Sequence, residues 1–138
     1  MNNKTLVFGC SGTVGLEFIS VSKENNILFY SRKKPTKLSK KLWRYIDLNK
    51  KIENVPKNVN KIFFFSSPYY ELNNLKKNNY QKELIWIKKI QKKIKTKFFI
   101  YLSSSSVYLN NHHVGAAKIE CEEYLINNSN YNYLQIWR

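Results

Sequence analysis

The apolar positions of this chain fall in short runs separated by polar stretches. Lys4 to Phe8 is a compact run ending at Gly9, Ile27 to Tyr30 is a second, and a helix-length segment from Val14 to Lys23 lies between them. That spacing predicts a β-α-β unit. A polar, lysine-rich segment with Pro35 follows, then a short apolar stretch around Trp43 to Ile46 and a connection through Pro56. Ile62 to Phe65 reads as a buried strand and Phe98 to Leu102 as the next. Between them, Tyr80, Leu84, Ile87, Ile90 and Ile94 recur at three- and four-residue steps while five lysines take other faces, which predicts an amphipathic helix over Tyr80 to Lys95. Ala116 to Ile126 predicts a further helix and Tyr133 to Trp137 a last strand.

Strands alternating with helices imply a parallel sheet with helices on both faces. Right-handed crossovers then give a Rossmann-type, doubly wound α/β fold with strand order 3-2-1-4-5-6. The 138 residues suffice for one domain with a real core, so residues 1–138 are expected to form a single unit. No run approaches a membrane span, and the amino terminus leads directly into the glycine turn without a signal-peptide pattern. A cytoplasmic protein is the default expectation. Cys10 and Cys121 have neither a CxxC spacing nor nearby ligand partners, so neither a metal site nor a disulfide is expected.

The first run is followed at once by Gly9-Cys10-Ser11-Gly12-Thr13-Val14-Gly15, which holds three of the four glycines in the chain. At three-residue steps the first permits a tight turn, the second a close approach of backbone to a pyrophosphate, and the third close packing of helix on sheet. A helix opening there points free N–H groups and a positive dipole end at the phosphates. The second strand runs into Ser31-Arg32-Lys33, where a site selective for NAD would place an acid. Arg32 offers a planar fork suited to a 2′-phosphate, with Ser31 as a further donor and Lys33 as extra charge, which favours NADP(H) over NAD(H).

Charge complicates this picture, because 24 Lys and Arg stand against 9 Asp and Glu, a net +15. Nucleic acid is one partner such a surface suits. The lysines are spread among asparagines along the whole chain, however, which reads better as a solvated surface. Trp86, among the lysines of the amphipathic helix, is either a stacking residue or a packing residue against a neighbouring helix.

The run Phe99-Ile100-Tyr101-Leu102-Ser103-Ser104-Ser105-Ser106-Val107-Tyr108 supplies a second marker. With the glycine turn, it resembles the extended short-chain dehydrogenase/reductase family, in particular its sugar-nucleotide epimerases, dehydratases and reductases. In that family a strand ends in a Ser/Thr-rich turn before Val-Tyr, and a helix carrying YxxxK follows. The resemblance implies a phosphate turn at Gly9, Ser11, Gly12, Thr13, Val14 and Gly15. It implies adenine contacts from Asp47 and Leu48, and a coenzyme channel lined by Ser66 and Ser67. Ser104 would be the counterpart of the catalytic Ser/Thr, with Ser103 and Ser105 as alternatives. Lys118, followed by Glu122 or Glu123, would be the ribose-binding lysine of YxxxK, and Arg138 the arginine that ends the sixth strand.

Chemistry in that family needs a phenol activated by the lysine to exchange a proton during hydride transfer. Four residues before Lys118 stands Val114, which transfers no proton. His113 adjoins the position, His112 precedes it and Tyr108 is near in sequence, but a sequence neighbour leaves a helix in another direction, so loop histidines are the preferred reading. Relatives also continue past the position of Arg138 into a substrate-binding region, most of which is not in this sequence. A natural remnant, a fragment, and a chain completed by a partner all fit. Three functions follow: an NADP(H)-dependent epimerase or reductase of nucleotide sugars, a coenzyme-binding module without turnover, and, more weakly, a nucleic-acid-binding basic protein. The resemblance further implies a homodimer through the helices beginning near Tyr80 and Ala116.

Overall fold

Runs of Val, Ile, Phe and Tyr bounded by polar turns are expected to pair side by side where both faces are buried. A computed structural model describes residues 3–23, 26–68, 81–109, 112–128 and 131–138. In it the elements run β1 (Thr5–Phe8), α1 (Thr13–Val21), β2 (Ile27–Ser31), β3 (Trp43–Tyr45), β4 (Asn58–Phe64), α2 (Lys82–Lys93), β5 (Lys95–Leu102), a 3-10 turn (Ser105–Tyr108), α3 (His113–Asn127) and β6 (Tyr131–Trp137). The six strands form one sheet in the order β3-β2-β1-β4-β5-β6, with every pairing parallel. This is the doubly wound Rossmann-type order that right-handed crossovers require.

Alternation along each strand sends its side chains to two cores. On one face Leu6, Phe8, Ile62, Phe64, Phe99 and Tyr101 meet Trp86, Ile87 and Ile90 of α2 and Cys121 and Leu125 of α3. On the other, Val7, Phe29, Phe63, Phe65 and Ile100 meet Phe18 and Ile19 of α1. Register ties the layers together: Val7 lies beside Phe29 and Phe63, and Phe63 in turn beside Ile100. Among the described residues no helix is long and apolar enough to cross a membrane.

Several element boundaries differ from those expected. The amphipathic helix stops at Lys93: the backbone is already extended at Ile94, whose N–H still bonds Ile90 O. Lys95 then bonds Lys57 O at 2.8 Å, so strand pairing with β4 overrides the helical period and β5 starts three residues earlier than its apolar run suggests. Tyr80, the expected first residue of that helix, lies outside the described residues. At its own start α3 gains a turn, because His112 acts as N-cap through Nδ1, which accepts from Gly115 N at 3.3 Å. Val114 and Gly115 are poor helix formers, so local propensity hid this turn.

Ile90 is fully buried in the core and Ile85, on the opposite side of α2, is 46% exposed. Ile90→Ala should therefore cost about 3 kcal/mol of stability and Ile85→Ala well under about 1 kcal/mol. Urea denaturation of both variants checks the facing of the helix, and equal costs would contradict it.

Candidate functional site

β1 sits where the sheet reverses direction, with β2 on one side and β4 on the other, so the connections after β1 and β4 diverge and open a crevice beyond the strand ends. Gly9 makes the turn out of β1 with φ +86°, in the left-handed region that favours glycine. A Cβ there would also lie 2.5 Å from Ser66 N and 2.7 Å from Phe65 C. Gly15 brings α1 down onto the turn, since a Cβ would lie 2.5 Å from Gly9 O and 2.6 Å from Cys10 Cα. Gly12 is different. Among the described residues a Cβ built on it would meet only Gly9 O, at an ordinary 3.6 Å, and its backbone is extended. Among the described residues no close contact requires glycine at that position. Gly12 is the N-cap of α1 with no side-chain cap bond, and the first turn holds no acid, which leaves the dipole end open to an anion.

The cleft has a volume of about 370 Å³. The glycine turn from Gly9 to Gly15, less Cys10, forms its floor; Ser31, Arg32, Asp47 and Leu48 form one wall, and Ser66 and Ser67 another. All the residues expected to bind coenzyme, Lys33 and Lys118 excepted, therefore come to one place from four strand ends. Tyr30, Ile46, Asn49, Phe65, Trp86 and Leu102 complete the lining. Tyr30, Ile46, Phe65 and Leu102 sit at or just beyond strand ends and were traceable from the strand assignment. Trp86 arrives from α2, and no local signal marks it.

Hydrogen bonds define the roles of the wall residues. Ser31 is buried, and its hydroxyl donates to Lys33 O at 2.6 Å while accepting from Trp43 Nε1 at 3.0 Å and the Cys10 thiol at 3.1 Å. Its proton is committed to the turn that presents Arg32, so it shapes the wall and is not the additional donor expected from sequence. Arg32 is exposed at the rim. Asp47 Oδ1 accepts from Asn49 N at 3.0 Å, and Asn49 Oδ1 accepts from Trp86 Nε1 at 3.1 Å. Lys89 Nζ donates to Leu48 O at 3.0 Å and Lys50 O at 3.2 Å. Helix α2 thus braces the Asp47 wall, and Trp86 is a packing residue here, 8% exposed in the core.

The residues expected to carry chemistry lie elsewhere. Lys118 is 4% exposed and does not line the cleft. Its ammonium donates to Glu83 Oε1 at 2.6 Å and Leu102 O at 3.1 Å, and lies 5.1 Å from the centre of the Tyr101 ring. Tyr101 donates to the same carboxylate at 3.1 Å. Burial, and then the Glu83 charge, push the Tyr101 phenol upward, and the same two causes push the Cys121 thiol to about 12. These groups keep their protons. Ser104 Oγ pairs with Ser106 Oγ at 2.6 Å and caps Ser106 N at 3.2 Å. Val114 is half-buried in the first turn of α3, and the His112 and His113 rings stack with centroids 5.1 Å apart.

A second polar group closes the far end of β5 and β6. Ser103 donates to Glu122, and Arg138 holds both carboxylate oxygens, at 2.6 and 3.2 Å, while giving a third N–H to the Tyr108 hydroxyl at 2.8 Å. Burial alone would raise the Glu122 carboxyl, but the hydrogen bonds from Arg138 and Ser103 prevail and hold it below the ordinary value. Glu123 is exposed and takes no part. Among the described residues no three His, Cys, Asp or Glu side chains gather as a metal-binding group.

No protein-family model matches the chain, and no curated protein matches it. Among solved structures it is similar to a thiolation-reductase di-domain from an archaeal non-ribosomal peptide synthetase, with 15% sequence identity and a TM-score of 0.63. The similarity covers 99% of this chain and 51% of the other, so this chain spans about half the length of that structure. At that identity the two share a fold.

Two outcomes follow. Lys118→Met leaves the Glu83 carboxylate buried without its cation and should cost about 3 kcal/mol or more, most of it recovered in the Glu83→Leu/Lys118→Met double variant. A denaturation cycle checks this, and additive losses would contradict the pairing. The lowered carboxyl of Glu122 contributes stability that is present above the ordinary glutamate value near 4.5 and lost as pH falls through the lower folded value. Glu122→Gln should therefore flatten the acid limb of the stability profile between about pH 5 and 3, as followed by thermal unfolding across that range.

Proposed function

We propose that this chain is an NADP(H)-binding domain of the short-chain dehydrogenase/reductase type that seats the coenzyme without performing proton transfer of its own. The observation that carries the reading is Gly12. The turn's other two glycines are required by the protein's own backbone, whereas Gly12 has no close contact among the described residues and lines the cleft at the uncapped start of α1. Among the described residues a Cβ there would make only an ordinary 3.6 Å contact with Gly9 O, so its cost would fall on a ligand. A diphosphate suits that place, receiving N–H groups from the first turn of α1. Arg32 at the rim suits the 2′-phosphate, and Asp47 and Leu48 the adenine side.

Bound NADP(H) would supply or accept hydride; the residues of this chain bind and orient it. The second half of the proposal rests on Val114 in place of the family's phenol and on Lys118, whose ammonium is taken up by Glu83 and Leu102 O. A second reading, reduction or epimerisation of a nucleotide sugar, draws on the resemblance to that family and on the reductase in the name of the similar structure. Tyr108, with its hydroxyl held by Arg138, is a candidate phenol for it among the described residues.

Titration of NADPH and NADH, followed by an assay of hydride exchange with nucleotide sugars, separates the readings. Binding without exchange is the expected result; exchange would sink the non-catalytic half, and failure of every dinucleotide to bind would sink both. Gly12→Ala should leave the unfolding midpoint nearly unchanged while weakening NADPH by roughly tenfold or more, and Arg32→Ala should weaken NADPH roughly tenfold more than NADH. Equal losses for the two coenzymes would remove the 2′-phosphate contact.

A further inference from the structure

Ser31 ends β2 with a buried hydroxyl whose bonding capacity is used up. A serine hydroxyl has one proton to give and two lone pairs to offer. Its proton goes to Lys33 O at 2.6 Å, and its lone pairs receive Trp43 Nε1 of β3 at 3.0 Å and the thiol of Cys10 in the glycine turn at 3.1 Å. These partners stand 2, 12 and 21 positions away in the chain. One oxygen atom therefore ties together the glycine turn, β3 and the loop that follows β2. The rest of that loop is anchored too. Lys34 Nζ donates to Pro35 O at 3.1 Å and Leu38 O at 2.6 Å, and Leu38 N donates to Pro35 O at 3.1 Å. Arg32 is the residue spanned by the Ser31 bond to Lys33 O, and of Arg32, Lys33 and Lys34 it alone lines the cleft.

We propose that Ser31 is a positioning residue for coenzyme selectivity: through Lys33 O it holds the backbone of Arg32 so that the guanidinium is presented to a 2′-phosphate, and its own hydroxyl contacts no phosphate. This rests on the reading of the cleft as an NADP(H) site. A long exposed side chain gives up rotamer freedom when it grips a ligand, and a loop that shifted would add an ordering cost of its own. Bonds that fix the peptides on both sides of Arg32 remove that second cost before the ligand arrives. A direct role for the hydroxyl would need its proton taken from Lys33 O, and its lone pairs offer nothing to an anion. The effect is selective because NAD(H) carries no 2′-phosphate for Arg32 to meet. Trp43 and Cys10 fix the direction of the hydroxyl, so Trp43 belongs to the same device although it does not line the cleft.

A double-variant cycle tests this, with NADPH and NADH titrated calorimetrically into the full chain, Ser31→Ala, Arg32→Ala and the two combined. Ser31→Ala should weaken NADPH by roughly tenfold and NADH by less than about threefold. In the Arg32→Ala background the same change should weaken NADPH by less than about threefold, because Ser31 acts through Arg32. Equal losses for both coenzymes would make Ser31 a merely structural residue, and a full tenfold loss in the Arg32→Ala background would make it a direct phosphate contact; either result overturns the proposal. A preference for NADPH that Ser31→Ala leaves intact overturns it as well, while the reading of the cleft stands. Absence of any such preference in the unaltered chain overturns both. Circular dichroism and thermal unfolding show whether Ser31→Ala is folded. If it is not, Trp43→Phe decides, since it keeps an aromatic ring and removes one bond to Ser31: the ratio of NADPH to NADH affinity should fall by at least about threefold, and an unchanged ratio overturns the proposal.

Discussion

At the head of β1 the backbone of Gly9 comes so close to Phe65 and Ser66 that no side chain fits between them, and Gly15 stacks against Gly9 and Cys10 from the other direction. Everything that forms the cleft hangs on this contact. It sets the first turn of α1 at the strand ends, in a cleft that Ser66 and Ser67 also line. Among the glycines of this turn, Gly12 is the one whose Cβ position has no close contact with described residues. A cavity produced this way is largely preformed, because main chain cannot move aside as a side chain can.

The polar interior has a different logic. Glu83, Lys118 and Tyr101 share one hydrogen-bonded group between α2, α3 and β5, and Lys118 also ties the carbonyl of Leu102 at the edge of the cleft. A buried ion pair is weak evidence for stability but strong evidence for a fixed arrangement, since losing either partner strands a charge in an apolar core. A lysine at the right place in a sequence pattern has thereby become part of the scaffold. Its neighbours, Glu122 with Arg138 and Ser103, do the same at the end of β6.

Much of the fold was legible because its signals are local and repeated. Most strands announced themselves as runs of Val, Leu, Ile, Phe or Tyr, β3 only as a short apolar stretch around Trp43 to Ile46, and α2 by its three- and four-residue period, so the sheet order followed from alternation and handedness. Boundaries were less legible where tertiary contacts overrode propensity. Pairing of Lys95 with Asn58 ended α2 early, and the imidazole cap of His112 began α3 within Val114 and Gly115. The glycine turn and Ser31 and Arg32 were legible from their place after β1 and β2, whereas Asp47, Leu48, Ser66 and Ser67 came only through the family resemblance; all of them line the cleft. Trp86 was legible from neither, because it enters the cleft from a helix whose period says only that it is buried.

By itself, then, the sequence determined the alternation of strands and helices, the order of the sheet and the three-glycine turn at its switch point, since these depend on residue type and spacing over a few positions. Tertiary structure decided what depends on separated residues meeting. It distinguished Gly12, where a side chain would meet its described neighbours at ordinary contact distance, from Gly9 and Gly15, where it would collide with backbone. It committed the Ser31 proton to the Lys33 carbonyl, and it set Lys118 against Glu83, 35 positions earlier in the chain. A side chain's type states which bonds it can make; only the packing of the elements around it settles which it does make.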